Sequence, residues 1–396
     1  MKIWHIITGE YPPQPGGVSD YTSLVANGLA SAGHTVHVWA PDAGLPSTRS
    51  NAVAVHRLAG RVAPRAWASV AQAIRATPGC SVLVQYVPHA YGCKAMNFPF
   101  CLWLYSLRHA DLTVMFHEVA FPRSRTQPLR HNLLGAVTEL MARLVCRSAR
   151  RILVASARWQ ATLTRLGATA PISWVPVPSN VPVVENAAAT AGWRERCATP
   201  RGLLIGHFAN YSDYSVEQLS RVMPALLDER RQLSLLLLGA NSGELRQRLL
   251  NTNRRLPARL HASGALAAPQ LSSALTACDL MVQPYPDGVS TRRTSTSALL
   301  AHGCTIVTTS GISTEGLWND SGAVAMAPAD NAHRLRETID RMLSSAELRG
   351  SYSRAAFDLY ERRFALRHTL AALMGRGQGI HRISREMATP ALRCES

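Results

Sequence analysis

Short β-branched runs alternate with helical patterns along the chain, and the alternation occurs twice, on either side of a proline-rich stretch from Pro171 to Pro182. This rhythm constrains the fold most, because strand, helix and strand in succession are best accommodated as parallel strands with helices on the sheet faces. In the first half, Ile3 to Thr8 reads as a buried strand, Ser19 to Ala32 as a helix ended by Gly33, and Thr35 to Ala40 as the next strand. Further strands are expected at Ser81 to Tyr86, Leu112 to Phe116 and Arg151 to Ala155. Each proline of the 171–182 stretch removes a backbone donor and restricts its predecessor, so a domain boundary is expected there. The second half repeats the pattern. Strands are expected at Leu203 to Phe208, Ser234 to Leu238, Leu280 to Gln283 and Thr305 to Thr308, with helices at Ser215 to Arg230, Gly243 to Asn253, Pro269 to Ala277 and Ser297 to His302.

The expected fold is therefore α/β, with two Rossmann-like doubly wound parallel-sheet domains facing a central cleft, the default site in such an arrangement. Residues 1–182 form the first domain and 200–345 the second. A long helical pattern over 346–374 follows, and 375–396 reads as a loose tail of glycine, arginine and polar residues.

Composition narrows the function classes. With 47% apolar and 17% charged residues among 396, a disordered chain is excluded. No apolar run approaches the ~18 residues of a membrane span, and Met1-Lys2-Ile3-Trp4-His5 leads into a strand, so a cytoplasmic protein is expected. The formal charge of +17 rests on arginine, since Lys2 and Lys94 are the only lysines. The arginines form no run of five or six and accompany no zinc-finger or RNA-binding signature, so nucleic acid is not the expected partner. Peripheral contact with the inner membrane surface remains an option, and the apolar and basic stretch Val119 to His131 is its first candidate. The eight cysteines show no C-x2-C pair, which fits reduced thiols.

The segment Gly9-Glu10-Tyr11-Pro12-Pro13-Gln14-Pro15-Gly16-Gly17-Val18-Ser19-Asp20-Tyr21 lies between the first strand and the first helix. Adjacent Gly16 and Gly17 allow close backbone approach, and the helix N-terminus that follows favours an anion such as phosphate. It lacks the G-x-G-x-x-G spacing of a dinucleotide site.

Tyr11-Pro12-Pro13-Gln14-Pro15-Gly16-Gly17-Val18, a helix, and then Gly33-His34-Thr35-Val36-His37-Val38 resemble the opening of family 4 (group 1) glycosyltransferases, retaining nucleotide-sugar enzymes with the GT-B fold. Further segments agree in order: Leu112 to Glu118, Ile152 to Ser156, Val175 to Val181, Asp279 to Pro284, Ala301 to Val307 and Glu315 to Gly322. The resemblance implies transfer of a sugar from a nucleotide diphosphate donor to an acceptor, with no cofactor and usually no metal. The absence of an Asp-x-Asp motif is compatible with that. Partners would be the nucleotide-sugar donor, on the second domain, and an unidentified acceptor on the first: a lipid-linked sugar, a glycan or a small metabolite. The resemblance also implies that the helices over 346–374, with Tyr360 to Leu373 among them, return to the first domain.

The same resemblance nominates the site. His117, at a strand end, would hydrogen-bond the transferring sugar, and Gly16 and Gly17 would face the donor phosphate or sugar. Two glutamates usual in the family would fall at Ser290 and Ala298, so neither is in register, and Asp287 is the nearest replacement for the first. Arg292 and Arg293, followed by the hydroxyls of Thr294 and Ser295 at a helix start, form a cationic, donor-rich site suited to a diphosphate. The usual arginine and lysine after the first strand of the second domain are also absent. His207, if protonated, and Asn210 are the candidates there.

Two other readings remain open. A nucleotide-sugar epimerase of GT-B fold would need acid/base carboxylates in the cleft. A catalytically silent donor-binding partner subunit is compatible with the missing glutamates.

Overall fold

Residues that read as buried runs become the central strands of two sheets, because β-branched and leucine side chains on both faces need helices to cover them. The computed structural model describes residues 1–42, 44, 46–50, 52–58, 64–211, 213–252 and 259–375. They divide into two units: Met1–Val177 with the chain from Leu366 onward, and Pro178–Ala365.

The first unit holds β1 (Ile3–Ile7), β2 (Thr35–Pro41), β3 (Thr48–Ser50), β4 (Val53–Leu58), β5 (Ser81–Tyr86), β6 (Asp111–Phe116), β7 (Arg151–Val154) and β8 (Ile172–Trp174). Their order across the sheet is β3-β4-β2-β1-β5-β6-β7-β8, with β3 alone antiparallel. Trp4, Ile6, Val36 and Val38 project to one face and meet Val25, Ala26 and Leu29 of helix Gly17–Ser31. Each such side chain contributes about 1.5–3 kcal/mol when removed from water. This burial fixes the helix on the sheet and with it the loop that enters the helix.

The second unit holds β9 (Leu203–Phe208), β10 (Leu233–Leu238), β11 (Leu260–Ala262), β12 (Leu280–Gln283), β13 (Ile306–Ser310) and β14 (Ala325–Pro328), ordered β11-β10-β9-β12-β13-β14 and all parallel. Its two faces carry separate apolar clusters, one around Leu236, Met281 and Leu299, the other around Leu235, Leu237 and Ile339.

The structure departs from the sequence expectation at the boundaries. The first unit ends at Val177, not 182, because Val175 and Val177 pack in its core whereas Val181 packs in the core of the second. The helical pattern from 346 does not return as a whole. Helix Ala346–Leu359 buries Ala356 and Leu359 in the second unit, and a wider turn over Tyr360–Phe364 sets Phe364 on Trp318 at 5.7 Å. Only helix Leu366–Met374 joins the first unit. There Arg151 Nη1 donates to the Leu373 carbonyl at 2.8 Å, satisfying an end that a helix otherwise leaves open. The expected tail lies outside the described residues from 376 on. Strands β3, β4, β8, β11 and β14 had no counterpart in the sequence reading. β8 even lies within the proline-rich stretch, where an edge position tolerates the flanking prolines.

Candidate active site

In the second unit, parallel strands put the C-terminal ends of β9, β12 and β13 on one edge, and the side chains of Gln283, Thr308 and Thr309 tie these ends together. Gln283 Nε2 donates to the Phe208 carbonyl at 2.7 Å, and Thr309 Oγ1 donates to the Tyr285 carbonyl at 2.6 Å. The loop after β12 then closes on the turn after β13. Gly288 has φ of 84° and lies so close to Gly311 and Thr314 that a Cβ would collide with both, so only glycine serves there. Asp287 sits at the centre. Its carboxylate accepts from Arg292 Nη2 at 3.1 Å, from Arg293 Nη2 and from Ser313 Oγ at 2.8 Å. Burial acts to raise the Asp287 pKa, but Arg293, Ser313 and Arg292 outweigh it and hold the carboxyl below its ordinary value.

Asp287 is thus the anchor of both arginines. The pair and the anchor leave one net positive charge beside helix Thr294–Ala301, whose N-cap Arg293 makes no side-chain cap bond. The Arg293 guanidinium lies 4.6 Å from the Tyr285 ring centre, and the Tyr285 hydroxyl bonds Ser295 Oγ at 2.8 Å and Thr296 Oγ1 at 2.7 Å. Thr294 is the first residue of that helix. A second anchor, Glu315, is buried and accepts from the Thr291 amide at 3.1 Å, the Thr291 hydroxyl at 2.9 Å and Trp318 Nε1 at 2.9 Å. Arg292, Arg293, Thr294 and Ser295 are therefore brought together as expected.

His207 is not the cation suggested for this edge. It is fully buried, and its Nδ1 donates to the Val282 carbonyl at 2.6 Å. Burial lowers its pKa to about 4 despite that bond, so the ring is neutral. Asn210 stands exposed two residues beyond β9. Ala298 is fully buried among Leu275, Leu299 and Leu300, where a glutamate would lose its hydration, and Ser290 is buried as well.

In the first unit, His117 follows β6. Its amide bonds the Tyr86 carbonyl at 3.0 Å, and Nε2 lies 2.8 Å from Gln85 Oε1. With the amide oxygen as acceptor, the proton sits on Nε2 and Nδ1 is left as an acceptor. The Tyr21 ring meets the imidazole edge-on at 4.8 Å, and burial lowers the His117 pKa to about 3. The imidazole is therefore neutral.

At the helix start after Gly16 and Gly17, two of the amides are already engaged by an anion of the chain itself. The carboxylate of Glu10 already occupies the helix start, its Oε1 accepting from the Val18 amide at 3.0 Å and the Ser19 amide at 2.9 Å. A negative charge is favoured there, but the chain supplies its own. The loop is held from below by Arg57, which donates to the Pro12 and Pro41 carbonyls and lies 5.7 Å from the Tyr11 ring centre. Gly16 is extended, and a Cβ on it would strike the Glu10 carboxylate. Gly16→Ala and Glu10→Ala should each lower unfolding free energy by about 1–2 kcal/mol, the worth of a lost cap, and the double variant should lose no more than either alone. Urea titration checks this; additive losses would reject the shared contact.

Three residues here had no role in the sequence reading. Gln85 had a signal, being polar within the apolar run Val82 to Tyr86. Glu10 and Glu315 had none, since each meets its partner only through the fold.

A family model described as a glycosyl transferase 4-like domain matches residues 16–178. No curated protein matches the chain in sequence. Among solved structures, sucrose-phosphate synthase from Thermosynechococcus elongatus superposes with a TM-score of 0.71 at 15% identity, covering 95% of this chain and 98% of that one. Anabaena Alr3699/HepE in complex with UDP and glucose gives 0.65 at 13% identity, with 95% and 99% covered. The UDP-forming α,α-trehalose-phosphate synthase from Burkholderia xenovorans, in complex with glucose-6-phosphate, gives 0.68 at 11%, with 95% and 100% covered. The domain match, the two parallel sheets and these likenesses agree: residues 16–178 form a glycosyl transferase 4-like domain, and the chain has the two-sheet GT-B fold of these structures.

Proposed function

We propose that the enzyme transfers a sugar from a nucleoside diphosphate donor to a hydroxyl acceptor with retention of configuration, without a metal, in cytoplasmic polysaccharide, glycolipid or glycoconjugate biosynthesis. The observation that carries the donor reading is the helix start at Thr294, without a side-chain cap and flanked by Arg292 and Arg293 on their Asp287 anchor. Backbone amides, hydroxyls and guanidinium groups there suit the negative charge that develops on a departing diphosphate. In this reading the bond from the anomeric carbon to the diphosphate oxygen breaks, the bond to the acceptor oxygen forms on the same face, and the acceptor's proton passes to the departing phosphate. His117 accepts a hydrogen bond from a donor-sugar hydroxyl through Nδ1 and orients the ring. Uridine is the first base to test, since the Anabaena protein was solved with UDP and glucose and the Burkholderia enzyme is UDP-forming. The acceptor class is a lipid-linked sugar, a glycan or a small metabolite.

A thermal-shift screen of nucleotide sugars, followed by nucleoside diphosphate release with and without acceptor, tests the reading. Release should depend on acceptor, persist in chelator and give a product with the donor's anomeric configuration. His117→Ala should slow it about a hundredfold with an unchanged melt. Sugar isomers formed without acceptor would point to the epimerase instead, and donor binding with turnover only beside a second transferase would point to the silent partner.

A further inference from the structure

We propose that the outer face of helix Leu129–Ser148, with the loop before it, docks on an anionic lipid bilayer. The proposal is independent of the donor site and needs no turnover.

The helix buries Gly135, Thr138, Met141, Ala142, Val145, Cys146 and Ser148 against its own unit. Its opposite face runs Leu129, Leu133, Ala136, Leu140, Arg143 and Arg147, at spacings of four and three that keep one side of a helix. The leucines there are well exposed: Leu129 at 87%, Leu133 at 63% and Leu140 at 47%. A surface helix ordinarily turns charge to water on this side, so an apolar outer stripe marks an interaction surface. Arg130, Arg143 and Arg147 are exposed on the same helix, whose single carboxylate, Glu139, is engaged by Arg123 at 3.2 Å.

The preceding loop is part of the surface. Asn132 binds it at both ends of one residue, Oδ1 accepting from the Ser124 amide at 3.1 Å and Nδ2 donating to the Ser124 carbonyl at 2.9 Å, and Gln127 Nε2 donates to the Pro122 carbonyl at 2.8 Å. Arg123 lies across Gly135 to reach Glu139. The exposed Phe121 ring rests against His131 at 5.7 Å, and Arg125 of the same loop is exposed. Leucine and phenylalanine side chains that leave water next to arginines match the layered chemistry of a bilayer interface, apolar below and phosphate above. A second copy on the same face would set arginine against arginine, and a nucleic acid would offer phosphates but nothing to cover the leucines.

The test is flotation of the full chain with phosphatidylcholine vesicles and with vesicles containing about 30 mol% phosphatidylglycerol, the anionic lipid that arginines select. The wild type should float with the anionic vesicles only. Leu129→Ser, Leu133→Ser and Leu140→Ser combined should cut partitioning at least tenfold through lost apolar burial. Arg130→Gln, Arg143→Gln and Arg147→Gln should cut it about fivefold per arginine. All six positions are exposed, so far-UV circular dichroism and the melt should stay as in the wild type. The proposal is overturned if wild-type flotation is absent or indifferent to lipid charge, if folded variants float like the wild type, or if sedimentation shows a dimer that the leucine substitutions abolish.

Discussion

Replacing Arg293 with alanine should weaken nucleoside diphosphate binding between about tenfold and a hundredfold, the worth of one charge-assisted contact in a half-buried site. The fold should survive. Asp287, which loses one partner, keeps Arg292 Nη2 at 3.1 Å and Ser313 Oγ at 2.8 Å, so its carboxylate is not orphaned. Tyr285 loses the cation over its ring, about 0.5–2 kcal/mol, but keeps both hydroxyl contacts. Arg293→Lys should recover the charge but not the fork geometry that reaches Asp287 and a phosphate together, and so should bind between the two. Calorimetry with UDP, paired with thermal melts, reads both quantities. Affinity unchanged in the alanine variant would remove Arg293 from the donor site, whereas a collapsed melt would make it a structural residue.

Acidification should destabilise the protein well before its carboxylates titrate. His5, His117 and His207 are held neutral, with pKa values lowered to about 4, 3 and 4, each chiefly by burial. An unfolded chain binds a proton at each with a pKa near 6.5, so below that pH the unfolded state holds more protons and stability falls as pH falls. The slope is about 1.4 kcal/mol per pH unit for each histidine. Between pH 6.5 and 5 each costs about 2 kcal/mol, a sizeable share of the roughly 5–15 kcal/mol stability of a typical domain. His56, His261 and His302 are shifted in the same direction. The lowered pKa of Asp287 contributes stability that is lost only as pH falls below the ordinary carboxylate value, so it adds nothing in the histidine window. His5, His56 and His117 belong to the first unit and His207, His261 and His302 to the second, so both units should lose stability over the same window. Urea titrations at pH 7.5 and 5.0 with a probe in each unit check this, and equal stability at the two pH values would contradict it.

How far the chain could be read before folding depends on the distance over which each feature is decided. Central strands such as Ser81–Tyr86 and Leu203–Phe208 were legible, because burial on both faces leaves a contiguous apolar run. Short edge strands such as Ile172–Trp174 were not, since three residues are too few to carry a period. Arg292, Arg293, Thr294 and Ser295 were legible as a group because they are adjacent in the chain. Their governing contacts were not: Ser313 reaches Asp287 from 26 residues away, Glu315 reaches Thr291 from 24, and Gln85 reaches His117 from 32. The reading of Gly16 and Gly17 as a phosphate cradle missed a partner for a related reason. A helix start attracts an anion, and nothing in the local pattern says that Glu10 arrives first.

The first unit is discontinuous: it leaves off at Val177 and is completed by helix Leu366–Met374, whose Ala372 and Leu373 enter the core beside Val25 and Leu29. Synthesis from the amino end therefore makes this unit's sheet first and supplies its last helix only after the entire second unit has left the ribosome. Order of birth and order of completion are inverted, and the nascent sheet waits with part of one apolar cluster uncovered while Pro178–Ala365, contiguous in the chain, has every residue of its own cores already in hand.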